Sequence, residues 1–83
     1  MSSKILLVTQ EKGLREQFGE RLLKEGYKVD VAESAEEVKE ILKYKRFCLY
    51  IIDVDLPDSS GFRLCKYVRQ RSRNRMLCIS NYE

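Results

Sequence analysis

FCLYIIDVDLPDSSG, residues Phe47–Gly61, is the stretch on which the fold turns. Its first six residues, Phe47–Ile52, are apolar without a break and rich in β-branched and aromatic types. A strand half exposed to water alternates apolar with polar residues. An unbroken run of this kind fits a central strand covered on both faces. The run stops at Asp53, and Leu56-Pro57-Asp58-Ser59-Ser60-Gly61 follows as a loop, with Ser59 or Ser60 as the N-cap of the next helix.

Working outward, the flanking segments supply the helices that such a strand needs. Downstream, Gly61, Leu64, Cys65 and Val68 form the apolar stripe of a helix, and Met76–Ser80 reads as another strand. Upstream, Ser34-Ala-Glu-Glu37 has the form of a capping box, in which the Ser hydroxyl and the Glu carboxylate answer each other's free backbone donors. The helix that it opens carries Ala35, Val38, Ile41 and Leu42 inward. Tyr27–Ala32 reads as a strand, with Tyr27, Val29 and Val31 alternating against Lys28 and Asp30. Before it, a helix runs from about Gly13 to Glu25, with Leu14, Phe18 and Leu22 on one face and Gly26 as its stop. Lys4–Val8 is a buried strand. The order β-α-β-α-β-α-β implies right-handed parallel crossovers and a doubly wound α/β sheet.

Composition bounds the chemistry. Eighty-three residues make one domain at most, and a chain this short buries only about 60% of the surface that its unfolded form exposes. A hydrophobic share of 43% and a charged share of 35% argue against disorder, collagen and coiled coil. The apolar runs are too short to cross a bilayer, and Met1-Ser-Ser-Lys4 does not open a signal peptide, so a cytoplasmic location is expected. With no His, the commonest general base and metal ligand is absent. Cys48, Cys65 and Cys78 sit in apolar settings without CxxC spacing, which reads as structural thiols rather than a zinc site or disulfide framework. From Arg63 to Arg75 there are six basic residues and no acid. Such a cluster marks a nucleic-acid or phosphate partner, or a solvated helix end. With Tyr67 as the only aromatic among them, the helix end is the simpler reading, and direct nucleic-acid binding by this segment is not expected.

In doubly wound sheets, ligands bind outside the carboxyl ends of the strands. Those ends deliver Thr9, Gln10 and Glu11 from the first strand, Asp53 and Asp55 from the third, and Ser80 from the fourth. Asp53 stands out because it ends a wholly apolar strand. From spacing alone it is equally a functional carboxylate, the cap of a turn in the following loop, or the place where the chain surfaces.

The chain resembles the receiver (CheY-like) domain of two-component response regulators. Lys4-Ile-Leu-Leu-Val8, Gly26-Tyr-Lys-Val-Asp-Val-Ala32 and Leu49–Gly61 carry the likeness, most specifically through Asp53, Pro57 and Gly61. The resemblance spans residues 1–83 in register and implies a flavodoxin-like fold with strand order 2-1-3-4. It implies that Asp53 accepts a phosphoryl group from a histidine kinase in phosphorelay signalling, with transcription regulation as a family output. It implies that the Ser80 hydroxyl senses the phosphoryl group, and that this is not an enzyme in the usual sense. Family members hold Mg²⁺ with an acidic pair after the first strand, the acceptor carboxylate and a backbone carbonyl two residues beyond it. Here that set reads Asp53, the Asp55 carbonyl, Gln10 and Glu11.

The match departs from the pattern in two places. Thr9 and Gln10 stand where the acidic pair belongs, so the expected Mg²⁺ site is weakened. The chain also stops shortly after its fourth strand, so the fourth helix, the fifth strand with its lysine, and the fifth helix have no counterpart in it. Two consequences are expected: the fourth strand is an exposed edge, and much of the apolar face of the first and third strands is wet. A homodimer or an effector domain would then pair through that edge and the first-helix face. The alternative function is a pseudo-receiver, a phosphorylation-independent interaction or dimerisation module.

Overall fold

The computed structural model describes residues 4–58 and 61–71, together with the backbone of 75–79. Strands β1 (Lys4–Val8), β2 (Lys28–Ala32), β3 (Leu49–Asp53) and β4 (Arg75–Ile79) alternate with helices α1 (Lys12–Lys24), α2 (Ala35–Ile41) and α3 (Gly61–Arg71). The strands form one sheet in the order β2-β1-β3-β4, and every pairing is parallel. The parallel pairing is that expected from the alternation of elements, and the order is that implied by the resemblance.

The two-residue period of the strands divides the core. Leu6 and Val8 of β1 and Tyr50 and Ile52 of β3 face α2 and α3, where they pack with Val38, Leu42, Phe47, Leu64 and Val68. Ile5, Leu7 and Ile51 face the other way, toward Phe18 and Leu22 of α1. The apolar run in β3 is thus explained, since its residues have a covered face on either side. The expectation that much of this second face is wet is overturned: Ile5, Leu7 and Ile51 are 3% exposed or less. α1 lies across them, and what stays open is a groove on its flank bounded by Leu14, Phe18, Leu22 and Leu49.

Several boundaries move. β3 begins at Leu49 rather than Phe47, yet Phe47 stays in the core, its ring edge-on to Tyr50 with centroids 5.7 Å apart. The strand also runs one residue further, and Asp53 pairs with Ile79 of β4. β2 excludes Tyr27, and both Tyr27 and Val31 are about 40% exposed. The alternation read there does not bury them because β2 is an edge strand, and of the three only Val29 reaches the α1 side of the core. Gly26 has a φ of 94°, which suits the glycine expected just past the end of α1.

The capping box is only half built. The Ser34 hydroxyl accepts from the Glu37 N–H at 3.2 Å, but the Glu37 carboxylate takes the Glu33 N–H instead of that of Ser34. The remaining free donors of the α2 first turn are met from a distance. The Asp58 carboxylate accepts from the Ala35 and Glu36 N–H groups, both at 3.0 Å. The expected N-cap of α3, Ser59 or Ser60, and the side chain of Cys78 lie outside the described residues. Cys48 and Cys65 are partly buried thiols outside any disulfide, as the apolar settings suggested.

Candidate functional site

β1 and β3 are neighbours, so their carboxyl ends meet. Val8 is opposite Ile52, which brings Thr9 beside Asp53. Both residues are fully buried. The Thr9 hydroxyl donates to Asp53 Oδ2 at 2.8 Å and accepts from the Glu11 N–H at 3.1 Å. The other carboxylate oxygen, Asp53 Oδ1, accepts from the Asp55 N–H at 3.0 Å. Of the three readings that its position allowed, the turn cap is the one seen here, and Asp53 is not where the chain surfaces. It organises the turn that follows it, and it holds a rigid carboxylate at the strand ends.

Gly61 closes this site from below. A Cβ placed on it would lie 2.3 Å from the Asp53 carbonyl oxygen and 2.4 Å from Val54 Cα. Its N–H donates to the Val54 carbonyl at 2.9 Å. Only a residue without a side chain lets the start of α3 sit on the Asp53–Val54 backbone. The sequence placed Gly61 on an apolar stripe, whereas its real constraint is backbone contact with the candidate acceptor.

The other candidates are arranged less closely. Gln10, Glu11 and Asp55 are exposed, and Asp55 reaches Asp53 through its backbone N–H. Ser80 lies outside the described residues. Mg²⁺ takes octahedral oxygen ligands, largely carboxylates. Among the described residues no group of three or more His, Cys, Asp or Glu could hold a metal ion. One carboxylate whose two oxygens already accept hydrogen bonds, beside a threonine, fits Mg²⁺ poorly.

Two contributors escaped the sequence reading. In the sequence Thr9 stands only where an acid is expected, whereas its hydroxyl is the direct partner of Asp53. Asp58 reads as a loop residue, whereas it ties the loop after Asp53 to α2. The two backbone N–H groups at its carboxylate hold that carboxyl below the ordinary value of 3.8. A short hydroxyl one residue past a buried strand is a readable signal. The Asp58 contact, between residues more than twenty apart, is not.

Comparison with known proteins agrees with this architecture. The response regulator receiver domain family matches residues 5–83, and the chain belongs to that family. FleR, a response regulator protein of Pseudomonas aeruginosa, is 35% identical over 71 residues, which are 86% of this chain and 15% of FleR. TorR, the TorCAD operon transcriptional regulatory protein of Escherichia coli K12, is 31% identical over 87% of this chain and 31% of its own length. The chain therefore spans less than a third of either relative.

Among solved structures, a CheY-like receiver domain from Methanospirillum hungatei superposes with a TM-score of 0.91 over all of this chain and 67% of that one. Its identity is 24%, so it speaks for the fold alone. TrrA of Thermotoga maritima, in complex with Mg²⁺-BeF, gives a TM-score of 0.88 at 30% identity over all of this chain and 72% of its own. TrrA has also been solved in complex with the histidine kinase ThkA. Among the described residues no helix is long and apolar enough to cross a membrane.

Proposed function

We propose that this receiver domain accepts a phosphoryl group on Asp53 from a histidine kinase and passes that state to an effector or partner in cytoplasmic phosphorelay signalling. The observation that carries the reading is the placement of Asp53, at the carboxyl end of β3 between β1 and β4, with both oxygens oriented by hydrogen bonds. In the transfer, a carboxylate oxygen attacks phosphorus, the bond from phosphorus to the kinase histidine breaks, and the histidine leaves with its nitrogen electron pair. An acyl phosphate remains on Asp53. Of the two oxygens, Oδ2 is the easier to release. The Thr9 hydroxyl frees it by rotating about one bond, whereas the Asp55 N–H is fixed in the backbone. The domain acts as a phosphoryl acceptor rather than as an enzyme turning over a free substrate.

Family relatives named as transcriptional regulators support a regulatory output supplied by parts of a longer protein. The TrrA–ThkA complex supports a kinase as the donor. Mg²⁺ at Asp53, with the Asp55 carbonyl, Gln10 and Glu11, is a weak site in this reading. Bound there, it would offset the like-charge repulsion between carboxylate and phosphoryl group.

A second reading is favoured by one specific observation. Asp53 is fully buried, and Thr9 takes the place of an acidic ligand against its carboxylate. A pseudo-receiver that binds partners without taking up phosphate would look like this. Intact-mass measurement after incubation with acetyl phosphate and Mg²⁺ separates the two. A phosphate adduct that Asp53→Asn abolishes is the expected result. Absence of any adduct from the native chain, with an adduct restored by Thr9→Asp, would establish the pseudo-receiver instead.

A further inference from the structure

A cavity of about 450 Å³ lies at the other end of the sheet from Asp53. Leu42 and Lys43, just past α2, Arg46 in the approach to β3, Tyr50 in β3, and Gln70 and Arg71 at the end of α3 line it. The volume is within the range of small-molecule sites. Among the described residues, three of the six lining side chains are cations and none is an acid.

The cations are not equivalent. Lys43 is bound to Glu40 at 2.9 Å, so its charge is matched nearby. The Arg71 guanidinium lies over the Tyr67 ring, 4.5 Å from its centroid. Stacking uses the flat face of a guanidinium and leaves its N–H edge available. Arg46 is exposed and has no carboxylate partner among the described residues.

Tyr50 is the second, independent observation. It is fully buried, yet its hydroxyl has no hydrogen-bond partner among the described residues. Edge-on packing against Phe47 holds the ring in the core, so the hydroxyl does not swing out to water. Buried polar groups in folded proteins are nearly always paired, and an orphan beside a cavity points to something the cavity takes up. Neutralising the carbonyl ends of α2 and α3 accounts for Lys43 and Arg71. It accounts for neither Arg46 nor the Tyr50 hydroxyl.

We propose that this cavity binds a small phosphate-bearing anion, with Arg46, Arg71 and the Tyr50 hydroxyl donating to its oxygens. Donors from a loop, a helix and a strand approach from separate directions. Phosphate offers acceptors on several sides, and two guanidinium groups suit it better than they suit a single planar carboxylate. Gln70 contributes an amide with both donor and acceptor capacity toward the rest of the ligand, and Leu42 an apolar wall. Ile51 and Ile52 separate Tyr50 from Asp53, so the site is distinct from the acceptor and works whether or not Asp53 is phosphorylated.

The test is calorimetric titration and thermal melting of the 83-residue chain with inorganic phosphate and with adenosine monophosphate, against chloride at matched ionic strength. Saturable binding is expected, weakened about tenfold or more by combined Arg46→Gln and Arg71→Gln and unchanged by Asp53→Asn. Tyr50→Phe should melt at or above the native temperature in chloride and lose the rise that phosphate gives. Tighter binding of the nucleotide identifies an organic phosphate as the ligand, and equal binding identifies the phosphate group alone. The proposal fails if neither ligand saturates, if stabilisation by phosphate survives the double arginine change, if Asp53→Asn removes binding, or if Tyr50→Phe destabilises the phosphate-free chain.

Discussion

Thr9 and Asp53 show what a single hydrogen bond decides in this molecule. A fully buried carboxylate needs donors, and the Thr9 hydroxyl supplies one of the two described for Asp53. Thr9→Val keeps the shape and removes the donor. It should cost about 1–3 kcal/mol in urea unfolding at neutral pH, with Thr9→Ser recovering most of the loss. Equal stability of the valine and native chains would show that the hydrogen bond contributes nothing. Gly61 is constrained for a different reason. Gly61→Ala forces a methyl group against the Asp53 carbonyl and should cost about 1–3 kcal/mol by overpacking. An alanine variant within experimental error of the native midpoint would refute the close approach.

Among the elements, α2 depends most on a distant residue. Its seven residues are too few to form a helix unaided, and its first turn is capped by Ser34 from its own chain segment and by Asp58 from the β3–α3 loop. The loop after the candidate acceptor thus leans on the start of α2. Asp58→Ala should lower the unfolding midpoint at neutral pH and loosen α2 amide protection against hydrogen exchange. Because the folded carboxyl is depressed below 3.8, the Asp58 contribution is complete above that pH and is lost as acid takes the carboxyl through its lower folded value. The gap between native and Asp58→Ala midpoints should therefore narrow below that pH. A gap that stays constant into strong acid would remove the ionised cap from the explanation. The exposed pairs Lys43–Glu40 and Arg15–Glu33 add little by comparison.

For the whole molecule, the open features are the β4 edge of the described sheet and the apolar groove beside α1. A small parallel sheet with an unpaired edge tends to find a partner. The 83-residue chain should self-associate in sedimentation velocity as its concentration rises, and Leu14→Glu, placing a charge in the groove, should shift it toward monomer. A folded monomer at all micromolar concentrations would exclude pairing through these surfaces. The open apolar area is smaller than the likeness to receiver domains suggested, because α1 packs on Ile5, Leu7 and Ile51.

Parallel pairing and the position of Asp53 were legible in the sequence because each follows from local pattern, whereas the strand order came from the likeness to receiver domains. An unbroken apolar run demands two covered faces, alternating elements demand crossovers, and the residue that ends the central strand lies at the ligand side. The exposure of Tyr27 and Val31 was not legible, since alternation reports a strand and not whether a neighbour covers it. The role of Thr9, the Asp58 cap, the Gly61 contact and the orphan Tyr50 hydroxyl depended on tertiary structure. The Thr9 and Asp58 hydrogen bonds join segments more than twenty residues apart, and the Gly61 contact and the Tyr50 surroundings depend on how the helices dock on β3. No spacing within one segment encodes such a distance, whereas periodicity within a segment is fixed by backbone geometry and is visible in the residues themselves.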